Sequence, residues 1–339
     1  ALVETPADLG GCRYCGGQTF TAGIYKGWLA MGDRIAAAQL ATVLLLLVTG
    51  VLALESRARR RLRFAPGRAG RAGSAESRPV ALRGPRCWLA WSICGLPVLL
   101  GFVLPVLFML RPLGSEWPDL SWDRFGGWAL NSLRLAAITA ALAVGAALAL
   151  GFGVRRAHQD VAVRGAVGLV GLGYAVPGAV VVVGLLLPVG WVQRAWPEAG
   201  IGGLVTATSV GLCWGYLVRF TAVALQSVQS GYTRIPPSVD ESARMLGAGP
   251  FRLLARVHWP LMRRTVAAAG LLVFVDVMKE LPVTLVLRPF DSDTLAVVAY
   301  QLARDERLGE AALPSLALVL VGLIPVVLLS RTLRRPSAD

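Results

Sequence analysis

Lysine is almost missing from this chain of 339 residues: Lys26 precedes Gly27, Lys279 precedes Glu280, and no Gly-Lys-Ser/Thr triplet occurs. A P-loop needs that triplet, because its backbone N–H groups and one lysine hold the phosphates, so the chain is not its own P-loop motor. Histidine is equally scarce, with only His158 and His258, both in polar loops. That argues against a His-based catalytic or zinc site. Of five cysteines, Cys12 and Cys15 form a single C-x-x-C with no second pair. They read as two unlinked or casually oxidised thiols, and Cys87, Cys94 and Cys213 as apolar fillers. Nothing in this inventory identifies a soluble enzyme.

Hydrophobic residues are abundant, at 55% of the chain, with a mean hydropathy of +0.61 and a formal net charge of +14. A nucleic-acid binder could be as basic, but here the charges separate apolar runs, the pattern of membrane spans joined by basic loops. Crossing a hydrocarbon core of roughly 30 Å takes about 20 helical residues. Seven runs qualify: 35–54, 88–110, 128–154, 165–189, 203–228, 265–287 and 311–330. The expected fold class is all-α, a polytopic helical membrane protein of about seven spans, with membrane lipid rather than nucleic acid around it. The first run starts too late for a signal peptide and lacks a small-residue cleavage pattern.

Between the fifth and sixth runs lies Asp240 to Pro260, polar and studded with arginine. Pro236 and Pro237 end the preceding segment, and Ser238 with Glu241 has the spacing of a capping box, predicting a helix start near Ser238. Gly247 falls where a helix C-terminus favours positive φ, and Gly249-Pro250 allows a turn into a second helix with proline at its first position. That second helix is expected to stop before Pro260. Met245, Leu246, Phe251, Leu253 and Leu254, set among Arg244, Arg252 and Arg256, give the loop apolar surface that implies a docking partner.

These residues resemble the signature of ABC-importer permeases, Glu-Ala-Ala, three residues, Gly, nine residues, Ile-x-Leu-Pro. The signature stands here as Glu241-Ser242-Ala243, Gly247 and Val257-His258-Trp259-Pro260, with the spacing intact. The resemblance implies a type I ABC importer permease fold. It also implies a coupling helix, within 230–263, that sits in a cleft of a separate nucleotide-binding ATPase. In that reading Glu241 caps the helix, Gly247 makes its turn and Pro260 fixes its exit, with Ser238, Ser242, Ala243, Leu246, Phe251 and Val257 completing the docking segment. ATP and Mg would act on the ATPase, leaving this chain a transport subunit with no cofactor of its own and a substrate-binding protein as a further partner. Gly173-Tyr174-Ala175-Val176-Pro177-Gly178, Asp276 to Pro282, Leu287-Arg288-Pro289-Phe290 and Asp305-Glu306-Arg307-Leu308 are similar to phrases of the ferric-iron subgroup. Permeases for spermidine, putrescine, sulfate, molybdate or thiamine share the coupling signature. A secondary transporter would not need the docking loop.

Placing the signature loop in the cytoplasm puts 22 of the 34 basic residues inside and nine outside, as the positive-inside rule requires. The N-terminus is then outside and the C-terminus cytoplasmic, in a bacterial inner membrane. Thr19 to Tyr25 followed by Asp33-Arg34-Ile35 echoes Thr294 to Tyr300 followed by Glu306-Arg307-Leu308, each leading into a span and an arginine cluster. The expectation is a fragment of a fused permease. Residues 1–54 would end a first module, 55–86 form an Arg-rich linker, 87–330 form a second six-span module and 331–339 form a tail. The missing first module, or a second permease, is then a partner.

Charges inside spans cost a few kcal/mol unless partnered or hydrated. Asp276, Lys279 and Glu280 have the i, i+3, i+4 spacing of one helix face, readable as an outward gate or transient oxygen site for a hard cation, or as a structural Asp276–Lys279 pair between helices. Pro177-Gly178 either breaks its span beside a pathway lined by Tyr174 or kinks it for packing. Gly165, Gly168 and Gly171 read as a close helix-packing stripe.

Overall fold

The computed structural model of the protein describes residues 19–62, 84–119, 121–156 and 160–333. Cys12, Cys15, His158, the middle of the Arg-rich stretch and the end of the basic tail lie outside the described residues. Every regular element among the described residues is helical. In chain order they are α1 (Phe20–Tyr25), α2 (Arg34–Leu62), α3 (Pro85–Glu116), α4 (Trp122–Arg156), α5 (Val161–Leu172), α6 (Gly178–Ala195) and α7 (Ile201–Thr206). There follow α8 (Ser209–Tyr232), α9 (Pro237–Met245), α10 (Trp259–Met278), α11 (Pro282–Leu287), α12 (Leu295–Arg304) and α13 (Leu308–Leu333).

Five helices, α2, α3, α4, α6 and α13, are long and apolar enough to cross a membrane. α8 and α10, with 24 and 20 residues, have the length but carry charges within it, Arg219 in α8 and Arg263, Arg264 and Asp276 in α10. The chain is a polytopic helical membrane protein. Three of the seven apolar runs are not single helices. Run 165–189 is divided into α5 and α6 by a 3-10 turn at Gly173–Ala175 and extended Val176. Run 203–228 is divided at Thr208, whose hydroxyl caps α8 by accepting from the Val210 N–H at 3.2 Å. Run 265–287 breaks after Met278 and resumes at Pro282.

α4, α8 and α10 form the core layer. Ala136, Ala140, Ala143 and Ala147 of α4 are buried at i, i+4, i+7 and i+11, against Leu212, Leu225 and Val228 of α8 and Val266, Ala269 and Val273 of α10. Lipid tails are as apolar as leucine, so helices associate there through close van der Waals contact, which the small alanines permit. A second cluster joins Ile24, Tyr25, Leu44 and Val48 of α1 and α2 to Ala179 and Val183 of α6. α1 and α12, the two echoing segments, are both short helices with a threonine at the N-cap, and each precedes a long helix. α3 has no buried residue before Leu113, so Cys87 and Cys94 do not fill a core; of the three described cysteines only Cys213 packs against one.

The glycine stripe of α5 packs against nothing among the described residues: a Cβ at Gly165, Gly168 or Gly171 meets none of their atoms within 4 Å. The close contact falls two residues later. A Cβ at Gly173 would stand 2.0 Å from the Val218 carbonyl oxygen of α8, a backbone atom that cannot rotate away. Gly173→Ala is therefore expected to destabilise the detergent-solubilised protein by about 1–3 kcal/mol, the cost of overpacking, read as a lowered thermal midpoint. Gly165→Ala should leave that midpoint unchanged or slightly raised.

Candidate functional site

The loop between α8 and α10 is built around α9. Pro236 is its N-cap and Pro237 its first residue, and no side chain caps it. The Ser238–Glu241 capping box is therefore not formed: proline's fixed φ starts the helix two residues earlier than a Ser238 N-cap would, leaving Ser238 inside the first turn. Glu241 and Ser242 are exposed and Ala243 half-buried. The C-terminus follows the sequence reading. Gly247 has φ 78°, its N–H donates to the Arg244 carbonyl at 2.9 Å, and the Ala248 N–H donates to the Ala243 carbonyl at 3.0 Å. These two bonds make a Schellman motif, which fixes the spacing between the residue at 243 and the glycine at 247.

The chain turns at Gly249 and is helical again from Pro250. It does not stop before Pro260. Leu253–His258 is a π-helical segment leading directly into α10, with the Trp259 N–H donating to the Leu254 carbonyl. In an α-helix the Pro260 ring would meet the carbonyl four residues back; the wider turn lets the helix continue through it. Met245, Leu246 and Phe251 are 88%, 89% and 81% exposed. Leu253 is buried, while Leu254 and Val257 are half-buried.

Beneath α9 lies a polar cluster that sequence reasoning missed. Arg155, in the last turn of α4, spends all five of its N–H donors. Its Nε donates to Asp240 Oδ2 at 2.6 Å and its Nη2 to Asp240 Oδ1 at 3.1 Å. Nη1 reaches the carbonyls of Tyr232 (3.1 Å) and Ile235 (2.9 Å), and Nη2 that of Pro236 (3.2 Å). His258, 1% exposed, places Nε2 2.9 Å from Asp240 Oδ1 and Nδ1 3.5 Å from the Tyr232 hydroxyl. Its ring also meets Phe152 and Tyr232 edge-on. Burial by itself would raise the Asp240 carboxyl, but hydrogen bonds and charge from Arg155 and His258 outweigh it and hold the group below the ordinary aspartate value. The cluster joins the end of α4, the end of α8, α9 and the entry to α10.

A second cluster lies at the far end of α10. Asp276 and Lys279 pair at 2.9 Å within one helix turn, so this bridge does not join helices. Glu280 does not share their face, because α10 ends at Met278. It is 4% exposed and accepts from the N–H groups of Val283 (3.0 and 3.1 Å) and Thr284 (3.2 Å), capping α11. Arg219 Nη1 of α8 donates to Glu280 Oε1 at 2.6 Å. The Tyr25 hydroxyl of α1 donates to the Pro282 carbonyl. Pro177 and Gly178 are buried beside this pair, a Cβ at Gly178 standing 3.0 Å from Glu280 Oε1, whereas Tyr174 is exposed. Among the described residues no three His, Cys, Asp or Glu side chains group to hold a metal ion.

No protein-family model matches the chain. It is 30% identical over 116 residues to the Fe(3+)-transport system permease protein FbpB 2 of Haemophilus influenzae, covering 34% of this chain and 23% of that protein. It is 31% identical over 159 residues to the putative ABC transporter permease protein ORF1 of Streptomyces antibioticus, covering 47% and 64%. To the putative 2-aminoethylphosphonate transport system permease protein PhnV of Salmonella typhimurium it is 26% identical over 156 residues, covering 43% and 59%. The chain thus spans less than two thirds of each of these relatives. A chain of a bacterial alginate ABC transporter, crystallised with an alginate pentasaccharide-bound periplasmic protein, superposes with a TM-score of 0.58 at 16% identity, covering 74% of this chain and 95% of that one.

Arg155→Gln removes three or more of the five donors and leaves Asp240 buried without its main partner. The expected loss is about 3–5 kcal/mol, as for breaking one side of a buried pair, read as a lowered thermal midpoint and faster tryptic cleavage in 236–260. The depressed Asp240 carboxyl sets the sign of the acid response. Its stabilisation is complete above the unfolded aspartate pKa of about 3.9 and lost as pH falls through the lower folded value. The stability gap between wild type and Asp240→Asn should therefore hold down to about pH 4 and close only below it, measured by acid unfolding. By sequence the chain is similar to ABC transporter permeases, and its helices have the fold of a chain of a bacterial ABC transporter.

Proposed function

We propose that this chain is a transmembrane permease subunit of an ATP-driven importer in a bacterial inner membrane, coupled to a separate ATPase through α9 and the turns that flank it. The observation that carries the reading is a short helix and the turn after it offering Met245, Leu246 and Phe251 to solvent while Asp240 of α9 is clamped to Arg155 at the end of α4 and to His258 at the entry to α10. An exposed apolar knob on a rigid mount suits the transmission of a partner's motion. Closure of two nucleotide-binding subunits would move α9, and α8 and α10, joined to it covalently and through Arg155, would move with it. The N-terminal end of the chain is read as outside and the C-terminal end as cytoplasmic. α1 and α2 are read as the end of a first permease module and α3 to α13 as the second. ATP and Mg belong to the ATPase, and a substrate-binding protein delivers the solute.

Ferric iron is the proposed cargo, from the subgroup phrases around Asp276–Pro282 and the similarity to the Haemophilus protein. A second reading, an organophosphonate, is favoured by the similarity to the Salmonella protein. Uptake of labelled ferric iron and of labelled 2-aminoethylphosphonate, in cells expressing the full-length protein with its ATPase and binding protein, decides between them. Gly247→Val meets no steric obstacle, since a Cβ there has open space, but a β-branched residue at this φ costs roughly 1–2 kcal/mol of backbone strain. Expected is uptake at background with normal membrane levels of the variant. Wild-type-like uptake by the variant overturns the coupling role, and uptake indifferent to ATP depletion favours a secondary transporter.

A further inference from the structure

We propose that the turn between α11 and α12 is the docking knob for a soluble solute-binding protein, with Phe290 as its anchor. The inference rests on the importer reading above and names the surface at which its binding protein is recognised. Phe290 is 98% exposed, more than any other large apolar side chain among the described residues. Its backbone, in contrast, is held on both sides. Before it, Leu287 is buried at the end of α11 and the Arg288 N–H donates to the Thr284 carbonyl at 3.1 Å. After it, the Ser292 N–H donates to the Pro289 carbonyl at 3.3 Å, closing a four-residue turn with Phe290 and Asp291 at its corner. Asp291 takes the left-handed φ of 59°, which aspartate tolerates better than most residues. Arg288 pairs with Asp293 across the base of the turn. Asn131 of α4 donates through Nδ2 to the Asp291 and Asp293 carbonyls, both at 3.4 Å, and Ser132 Oγ accepts from the Leu295 N–H at 2.8 Å. These bonds fix the backbone around a phenyl ring left in solvent, so a partner that buries the ring orders little else.

Position excludes the ATPase as the occupant. Asn131 touches this turn and Arg155 touches α9, and the two stand 24 positions apart on the single helix α4. At about 1.5 Å per residue that is roughly 36 Å, more than a hydrocarbon core of roughly 30 Å. With α9 on the cytoplasmic face, the turn faces outside. Charge argues against lipid. Asp291 is exposed and makes no ion pair among the described residues, whereas side chains that anchor apolar groups in a membrane surface are basic and drawn to anionic headgroups. The size of the patch argues against a permanent subunit. One aromatic anchor flanked by Asp291, Ser292 and Asp293 has the anatomy of a hot spot in a small interface, while obligate subunits bury a broad apolar face. A protein that arrives loaded and leaves empty suits the small interface. Its docking face is expected to carry an apolar pocket edged with basic side chains, complementary to Phe290 and Asp291.

The test places the photoreactive amino acid p-benzoylphenylalanine at position 290 of the full-length protein, expressed with its ATPase and an epitope-tagged binding protein, and illuminates whole cells. Position 245, where Met245 is 88% exposed on the opposite face, is the control. Expected is an adduct with the tagged binding protein from 290 and none from 245. In nanodiscs holding the purified transporter, Phe290→Ala should weaken binding of the solute-loaded binding protein by roughly thirtyfold, the scale of losing an aromatic hot spot, while the ATPase subunit stays bound. Asp291→Asn, which keeps the tolerance for left-handed φ, should weaken binding less and flatten its salt dependence. An adduct at 290 only with lipid, or only with a second permease chain, overturns the proposal. Equal affinity of wild type and Phe290→Ala also overturns it and leaves the importer reading standing. No binding of the loaded protein to wild type overturns the importer reading itself, and the docking surface with it.

Discussion

The arrangement of the loop depends on one guanidinium group. Arg155 sits where α4 ends and fills its donor fork with the carboxylate of Asp240 and with three carbonyls from the end of α8 and the chain just after it. Carbonyls at a helix C-terminus lack intrahelical partners, and a positive charge there is favourable toward the helix dipole. The same group thus resolves the end of one helix and fixes the start of another. His258 fits the remaining geometry, with Nε2 facing Asp240 and Nδ1 facing the Tyr232 hydroxyl. Lysine could supply the charge but not the planar fork.

The sequence revealed what local rules control. The glycine at 247 and the turn at Gly249-Pro250 were legible because a Schellman motif and a proline at the first helical position are set by residues within one or two turns. Local reasoning failed where two local signals competed. Tandem prolines took the helix start from Ser238, and a π turn carried the chain through Pro260. It also failed where partners are far apart in sequence. Arg155 and Asp240 are separated by 85 positions, and Arg219 and Glu280 by 61. One signal was available for the second pair. Arg219 is a charge inside an apolar run, such a charge seeks an opposite one, and Glu280 lies in the following run. For Arg155, lying in a basic patch, composition offered no reason to single it out.

The two polar clusters bracket the α8–α10 pair. One holds its loop end; at the other, Arg219 and Glu280 meet beside the break between α5 and α6, where Gly178 leaves no room for a side chain. Glu280 there serves both as counter-ion and as helix cap, so a carboxylate deep in an apolar setting has its oxygens committed to fixed donors. This accounts for its burial without a bound cation, and it caps the second of the two helices into which the 265–287 run divides.

The π segment before α10 has a geometric consequence. An α-helix advances about 100° per residue, and a π turn absorbs one extra residue without lengthening the hydrogen-bonded ladder. The azimuth at which Phe251 and Arg252 emerge, relative to the buried stripe of α10, is therefore set by the ring size of Leu253–His258. Were one residue lost there, the helix could close as ordinary α with its flanking segments near their present azimuth, whereas a residue added to an ordinary α ladder would swing everything before it by about 100° around the axis. The bearing of the loop's exposed face is thus held by a count of residues, independently of which side chains occupy those positions.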